Sequence, residues 1–217
     1  EGSYGVSGSC TSGDGDVTVA IAGATPASQA VSCTTDAFNA SFDVSGITDG
    51  ANALAISASQ TDAAGNTGSD SAQADKDATV PAVSINAPVV ATTSNEGSYG
   101  VSGSCTSGDG GVTVAITGAT PASTSVSCTT DAFSASFDVS GIADGVDALG
   151  ISASQTDGAG NTGSDTVQAD KDASAPAVSI DLPGNANTGN ENSYDVTGSC
   201  TSDDSSVSVA IAGATPA

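Results

Sequence analysis

The chain has 217 residues but no arginine, histidine, methionine or tryptophan, and its only basic side chains are Lys76 and Lys171. Against them stand 25 acidic residues, a formal net charge of −23. Nucleic acid is excluded as a partner, because phosphate contacts need basic side chains that are missing here. An anionic membrane surface repels such a chain. No apolar run reaches the roughly 20 residues of a membrane-spanning helix, so direct membrane insertion is not expected. Without histidine, and with two lysines, the abundant serines find no ordinary base to activate them. Hydrolysis by paired carboxylates lacks an aromatic platform for a sugar. The chain therefore reads as a non-enzyme. The charge suits cations or neutral surfaces such as glycans as partners, or simply keeps a secreted or salt-tolerant protein in solution.

Large apolar side chains are scarce too: in the first 60 residues Tyr4, Phe38, Phe42 and Leu54 stand out among Ala, Ser, Gly, Thr and some Val and Ile. A core this thin calls for an additional staple.

What is abundant is repetition. The run Glu1-Gly-Ser-Tyr-Gly-Val-Ser-Gly-Ser-Cys10 returns unchanged at Glu96–Cys105 and, loosened, at Glu191–Cys200. About four in five positions of residues 1–95 recur 95 positions later, without insertion or deletion. That period is longer than a solenoid repeat and matches one small globular domain. Tandem copies of a domain supply length, stiffness or valency. Cysteine follows the repeat: Cys10 and Cys33, then Cys105 and Cys128, each pair 23 residues apart, then Cys200, whose mate falls near position 223. With no histidine and no CxxC, this spacing argues against zinc and for disulfides in an oxidising compartment, with buried free thiols as the alternative.

Short segments of alternating character, cut by turn signals such as Ser12-Gly-Asp-Gly15 and Thr48-Asp-Gly50, predict strands throughout. In the first copy they are 4–10, 17–22, 28–34, 38–44, 53–60 and 68–75. A further strand is expected at Ala82–Asn86 and again at Ala177–Asp181, each after a proline that ends a short polar linker. The expected fold is all-β: tandem immunoglobulin-like sandwiches of about seven antiparallel strands, like beads on a string, forming a rod. The expected domains are 1–77, without its first strand, 78–172, complete, and 173–217, ending after its third strand.

Thr61-Asp-Ala-Ala-Gly-Asn-Thr-Gly68 followed by Asp75-Lys-Asp-Ala-Thr-Val-Pro-Ala-Val83 resembles the end of a bacterial immunoglobulin-like repeat of giant surface adhesins and biofilm-associated proteins; Thr156–Gly163 and Asp170–Val178 carry the same motifs. The resemblance covers the whole chain in pattern, but its specific motifs lie in the last third of each copy. It implies a β-sandwich, display outside the cell or on its surface and, in many relatives, calcium at domain junctions. The cysteine pairs depart from stalks exported in one step, which usually lack them.

An up-and-down trace of such a sandwich brings Asp49, Asp75 and Asp77 of the first copy towards Asp109, Asp131, Asp157 and Asn161 of the second. The next junction gathers Asp144, Asp147, Asp170 and Asp172 against Asp204. Carboxylates so placed repel one another unless a cation intervenes, and calcium suits oxygen ligands from flexible loops. The plainer reading is that these residues form turns and solvated edges, and Lys76 and Lys171, each between two aspartates, can pair with a neighbour. The expected function is a structural stalk whose partners are its own neighbouring repeats, projecting a distal domain that binds a glycan or protein receptor. The alternatives are the body of a self-assembled extracellular filament or sheath, joined to other copies in a fibre, and multivalent repeats that bind a glycan or protein themselves.

Overall fold

Alternation with period two has one physical outlet: side chains of a strand point to opposite faces, so every second residue can be buried. The computed structural model describes residues 3–202 and 205–213, and strands dominate it. The first copy forms β1 (Tyr4–Ser9), β2 (Val17–Ile21), β3 (Ser28–Val31), β4 (Ala37–Phe42), β5 (Gly50–Thr61) and β6 (Thr67–Lys76). The second forms β7 (Ser84–Ile85), β8 (Tyr99–Ser104), β9 (Val112–Ile116), β10 (Ser123–Val126), β11 (Ala132–Phe137), β12 (Gly145–Thr156) and β13 (Thr162–Lys171). Beyond lie β14 (Val178–Ile180) and β15 (Gly198–Cys200).

The sheets repeat with the sequence. In the first copy β1 pairs with β4, and a second sheet runs β3-β2-β5-β6; in the second copy the sheets are β11-β8-β7 and β10-β9-β12-β13. Val6 stands opposite Ala40 and Val19 opposite Ala58 in antiparallel pairs. In the first copy Val17, Val19, Ile21, Phe38, Phe42 and Leu54 are buried together between the two sheets. The second copy buries the counterparts and adds Tyr99, Val139, Ile151 and Ala153. Each such side chain contributes about 1.5–3 kcal/mol when fully buried. Cys10 and Cys33 are joined by a disulfide with Cα atoms 6.0 Å apart, and Cys105 and Cys128 are disulfide-bonded likewise. Closing a loop of this length contributes about 3 kcal/mol in the chain-entropy account. Cys200 is free and exposed.

Three local differences from the expected strands have physical causes. The strand expected over Ala82–Asn86 shortens to Ser84–Ile85, because Pro81 has no N–H and the Ala82 N–H donates to the Thr106 hydroxyl at 2.9 Å. Ala177 does the same with Thr201, and its strand begins at Val178. In the third copy Val207, Val209 and Ile211 are exposed and belong to no strand. Their counterparts in β2 and β9 are held by a strand on each side, and no such pair flanks them among the described residues. The turn at Glu96–Ser98 is 3-10 helical.

The chain groups into two compact units, Glu1–Val83 with Cys105–Gly111 and Ser154–Ser164, and Ser84–Ser104 with Val112–Ala153 and Asp165–Ala217. The loops 105–111 and 154–164 join the first unit because the segment 77–83 is bound to them.

Candidate functional site

The residues with chemistry to offer lie at the ends of the sandwiches, where turns need Asp and Asn. At the exit of the first copy, one Asp49 carboxylate oxygen accepts from Lys76 Nζ. Its other oxygen accepts from the Ala78 N–H at 3.0 Å and the Thr79 hydroxyl at 2.9 Å. Lys76 first, then these two donors, hold the Asp49 carboxyl down to about 2. The second copy repeats the arrangement: Asp144 accepts from Lys171 Nζ at 3.0 Å and the Ser174 hydroxyl at 2.8 Å. Ser174, then the Ala173 N–H and Lys171, bring Asp144 to about 2 as well. Lys171 is only 4% exposed and carries a second partner, Glu96, at 2.9 Å. Glu96, then Asp144, raise its pKa. Each lysine thus closes its own copy's last strand onto the preceding loop.

Asp75 and Asp170 have a different task. Each accepts at 2.8 Å the backbone N–H of a residue with positive φ, Asn52 (φ 54°) and Asp147 (φ 53°) respectively. Asn and Asp tolerate this left-handed backbone better than other side chains. In the first copy the residue lies where the β5–β6 register shifts between Gly50 and Leu54, so the carboxylate caps a bulge.

Within the first unit, the segment 77–83 is seated by named contacts. The Asp77 side chain accepts from the Thr79 N–H at 3.0 Å, while its carbonyl accepts from Asn161 Nδ2 at 3.2 Å. Asn161 also donates to Asp157, which accepts the N–H groups of Ala159 and Asn161 as well. These donors, Asn161 foremost, lower the Asp157 carboxyl. Pro81 is buried, and its carbonyl lies so near Gly163 that a Cβ there would stand 1.9 Å from the oxygen. Gln155, 1% exposed, fixes the receiving loop by bonding Thr106 N–H, Thr106 carbonyl and Gly110 carbonyl at 2.8–3.0 Å. Gln60 does the same for Thr11 and Gly15.

Within the second unit, β7 continues the seating. Ser84 and Ser104 share a hydroxyl bond at 2.8 Å, and the Ile85 N–H donates to Asp165 at 2.8 Å. The Tyr99 hydroxyl donates to the Val89 carbonyl at 2.5 Å. The chain then crosses to the other sheet, where Ala91 forms a parallel bridge with Lys171. Ser179–Ser199 and Tyr194–Gly184 reproduce two of these contacts in the third copy.

Calcium requires six to eight converging oxygens. The structure brings Asp77 to Asn161, but Asn161 presents its donor side, and Asp49, Asp144 and Asp157 are taken up by internal donors. Asp172 accepts from the Ser174 N–H at 3.1 Å. Asp131 has positive φ (57°), and the Asp109 N–H bonds the Thr106 carbonyl at 3.4 Å. Asp204 lies outside the described residues. Among the described residues no three His, Cys, Asp or Glu side chains gather closely enough to hold a metal ion. The sequence signal for the residues that do hold the ends, Gln60, Gln155, Glu96, Asp165 and Thr106, was only their recurrence at 95-residue intervals.

No protein-family model matches the chain, and no curated protein matches it in sequence. Solved structures do resemble it. A tetra-tandem repeat from the extending region of a large adhesion protein is 22% identical, with a TM-score of 0.39, over 92% of this chain and 58% of that one. A Ca2+-stabilized adhesin with which an Antarctic bacterium reaches out and binds ice is 26% identical, with a TM-score of 0.44, over 84% of this chain and 47% of that one. A 1.5-MDa bacterial ice-binding adhesin is 19% identical, with a TM-score of 0.41, over 84% and 62%. The chain spans less than two thirds of each of these structures.

Proposed function

We propose that the chain is a section of an extracellular stalk, built of immunoglobulin-like modules bounded near 77/78 and 172/173, whose work is to hold a distal binding domain away from a cell surface. The observation that carries this reading is the short, built-in connection between copies. A free linker would leave its backbone groups to water, whereas residues 77–86 give theirs to Asn161, Thr106, Asp165 and β8. The corresponding Ala177–Thr201 and Ser179–Ser199 contacts recur one period later. Disulfides supply the staple that a thin core needs, and they suit an oxidising compartment. The chain's own neighbouring repeats are its first partners; a receptor belongs to the distal domain. With no histidine and no arginine, the chain has no catalytic task in this reading.

Scattering from arrays of two, three and four 95-residue copies tests it. A stalk gains a constant increment in maximum dimension per copy. Growth with roughly the square root of copy number, as for a flexible chain, would sink the proposal. Calcium bound at the repeat ends enters only as a ligand that displaces the internal donors of Asp49, Asp77, Asp144 and Asp157. A melting temperature raised by millimolar calcium and lowered again by EDTA would assign it. An unchanged melt leaves the lysine clasps as the neutralising device.

A further inference from the structure

Ala91 and Lys171 meet in a parallel bridge, whereas the pairs of neighbouring strands around them are antiparallel. Two backbone bonds close it: the Ala91 N–H donates to the Asp170 carbonyl at 2.9 Å, and the Asp172 N–H to the Ala91 carbonyl at 2.8 Å. Side chains add a third link. Glu96, just beyond Ala91 in the chain, accepts from Lys171 Nζ at 2.9 Å. Ala91 is 0% exposed and Lys171 4%, so water has little access to replace these bonds once they are strained.

The place of this bridge along the chain gives it a particular load. The chain enters the second copy through β7 and reaches Ala91 a few residues later; it leaves the copy directly after Lys171, where β13 ends. The entering segment is thus tied straight to the leaving strand. Both run the same way at the bridge, so tension draws Ala91 back towards β7 and Lys171 forwards towards Asp172. Backbone bonds of a strand pair lie across that direction. The links are therefore sheared together instead of being opened one after another. Residues 92–170, which carry most of the buried core of the copy, lie behind the bridge and feel tension only after it breaks. The Cys105–Cys128 disulfide lies behind it too, and keeps its own loop closed even then.

We infer that the Ala91–Lys171 bridge, with the Glu96–Lys171 ion pair, is a mechanical clamp that bears tension carried along the chain and shields the core behind it. Three further bonds hold the entering segment in place: Ile85 N–H to Asp165, Asn86 N–H to the Ser102 carbonyl, and the Tyr99 hydroxyl to the Val89 carbonyl. They tie that segment to β8 and β13, whereas the bridge alone joins it to the exit. A stalk fixed at one end and bound at the other supplies the tension, and in that respect the clamp rests on the stalk reading. Scattering tests that reading, and pulling on single chains tests the clamp without it.

The full chain is held by its two ends and extended in a single-molecule instrument. Unfolding of residues 84–171 should lengthen the chain by about 220 Å with the disulfide closed and about 300 Å after reduction, which identifies the event. Glu96→Gln keeps the shape of the side chain but removes its charge. It should raise the unfolding rate at fixed force about tenfold. Ile151→Ala opens the core, yet should change that rate less than about twofold, because core contacts are still made when the bridge breaks. The unsubstituted fold supplies a second measurement. Tethers attached at Thr93 and Ala175, both just past the bridge, pull its strands sideways and should part them at less than about half the force. Equal forces in the two directions, or Ile151→Ala acting as strongly as Glu96→Gln, overturn the clamp. An array that scatters as a flexible chain while these differences hold removes the stalk and leaves the clamp standing.

Discussion

Ile56 and Ile151 occupy the same place in β5 and β12 of two copies that share about four in five residues, yet Ile151 is 2% exposed and Ile56 only half-buried. Gln60 and Gln155 differ likewise, though each makes the same three bonds to its loop. Local sequence is therefore not what separates the copies. In the second, β7 and the segment before it lie across β8 and β13; in the first, the matching surface is open. Burial at a given residue is a property of its neighbours, and here two nearly identical sequences show it side by side.

The comparison can be broken or sharpened by paired substitutions. Ile151→Ala should cost about 3–4 kcal/mol and Ile56→Ala less than half of that, because a cavity forms only where the site was closed; denaturant melts of the two variants decide it, and equal losses would remove the distinction. Gly163→Ala should cost about 2 kcal/mol, since its Cβ collides with the Pro81 carbonyl, whereas Gly68→Ala should be neutral. Hydrogen exchange should find the loosened amides of Gly163→Ala over residues 79–86. Tyr99→Phe removes the hydroxyl bond to Val89 and should cost about 1 kcal/mol, while Tyr4→Phe should cost nearly nothing, read as a shift in midpoint at unchanged m-value.

The smallest effect is one of pH, and it should be common to both copies. Asp49 and Asp144 have carboxyls lowered from 3.8 to about 2. A folded pKa below the unfolded one makes a contribution that is complete above 3.8 and is lost as pH falls through about 2. Stability should therefore be flat from neutral pH down to about 4 and decline below it, with a shallower decline in the Asp49→Asn, Asp144→Asn double variant. Lys171 contributes to an alkaline limb. Its raised pKa gives stability present below 10.5 and lost as pH rises past the folded value. Lys171→Met should remove that contribution.

Much of this was legible beforehand, and the reason is specific in each case. Val17, Val19 and Ile21 alternate with polar neighbours, so their strand and its buried face followed from period two. Cys10 and Cys33 lacked any competing ligand chemistry, so their disulfide followed by composition. Counting strands along an up-and-down chain brings the exit holding Asp77 towards the loop holding Asn161, and the Asn161 side chain does donate to the Asp77 carbonyl. What those residues do there was not legible. An aspartate in a turn reads the same whether its oxygens face a cation or the N–H of Ala78. The 95-residue spacing marked Thr106, Gln155 and Asp165 no more strongly than dozens of other recurring residues.

The sequence by itself determined the period and the β character and pointed to the cysteine pairing, since each depends on residue type and short-range spacing. The tertiary structure decided how the acidic ends are neutralised and which surfaces are closed. Both depend on which donor or strand arrives from residues far along the chain: Lys76 on Asp49, Glu96 on Lys171, Pro81 over Gly163. Only folding sets those distances, and the copies differ not in what they are made of but in what lies across them.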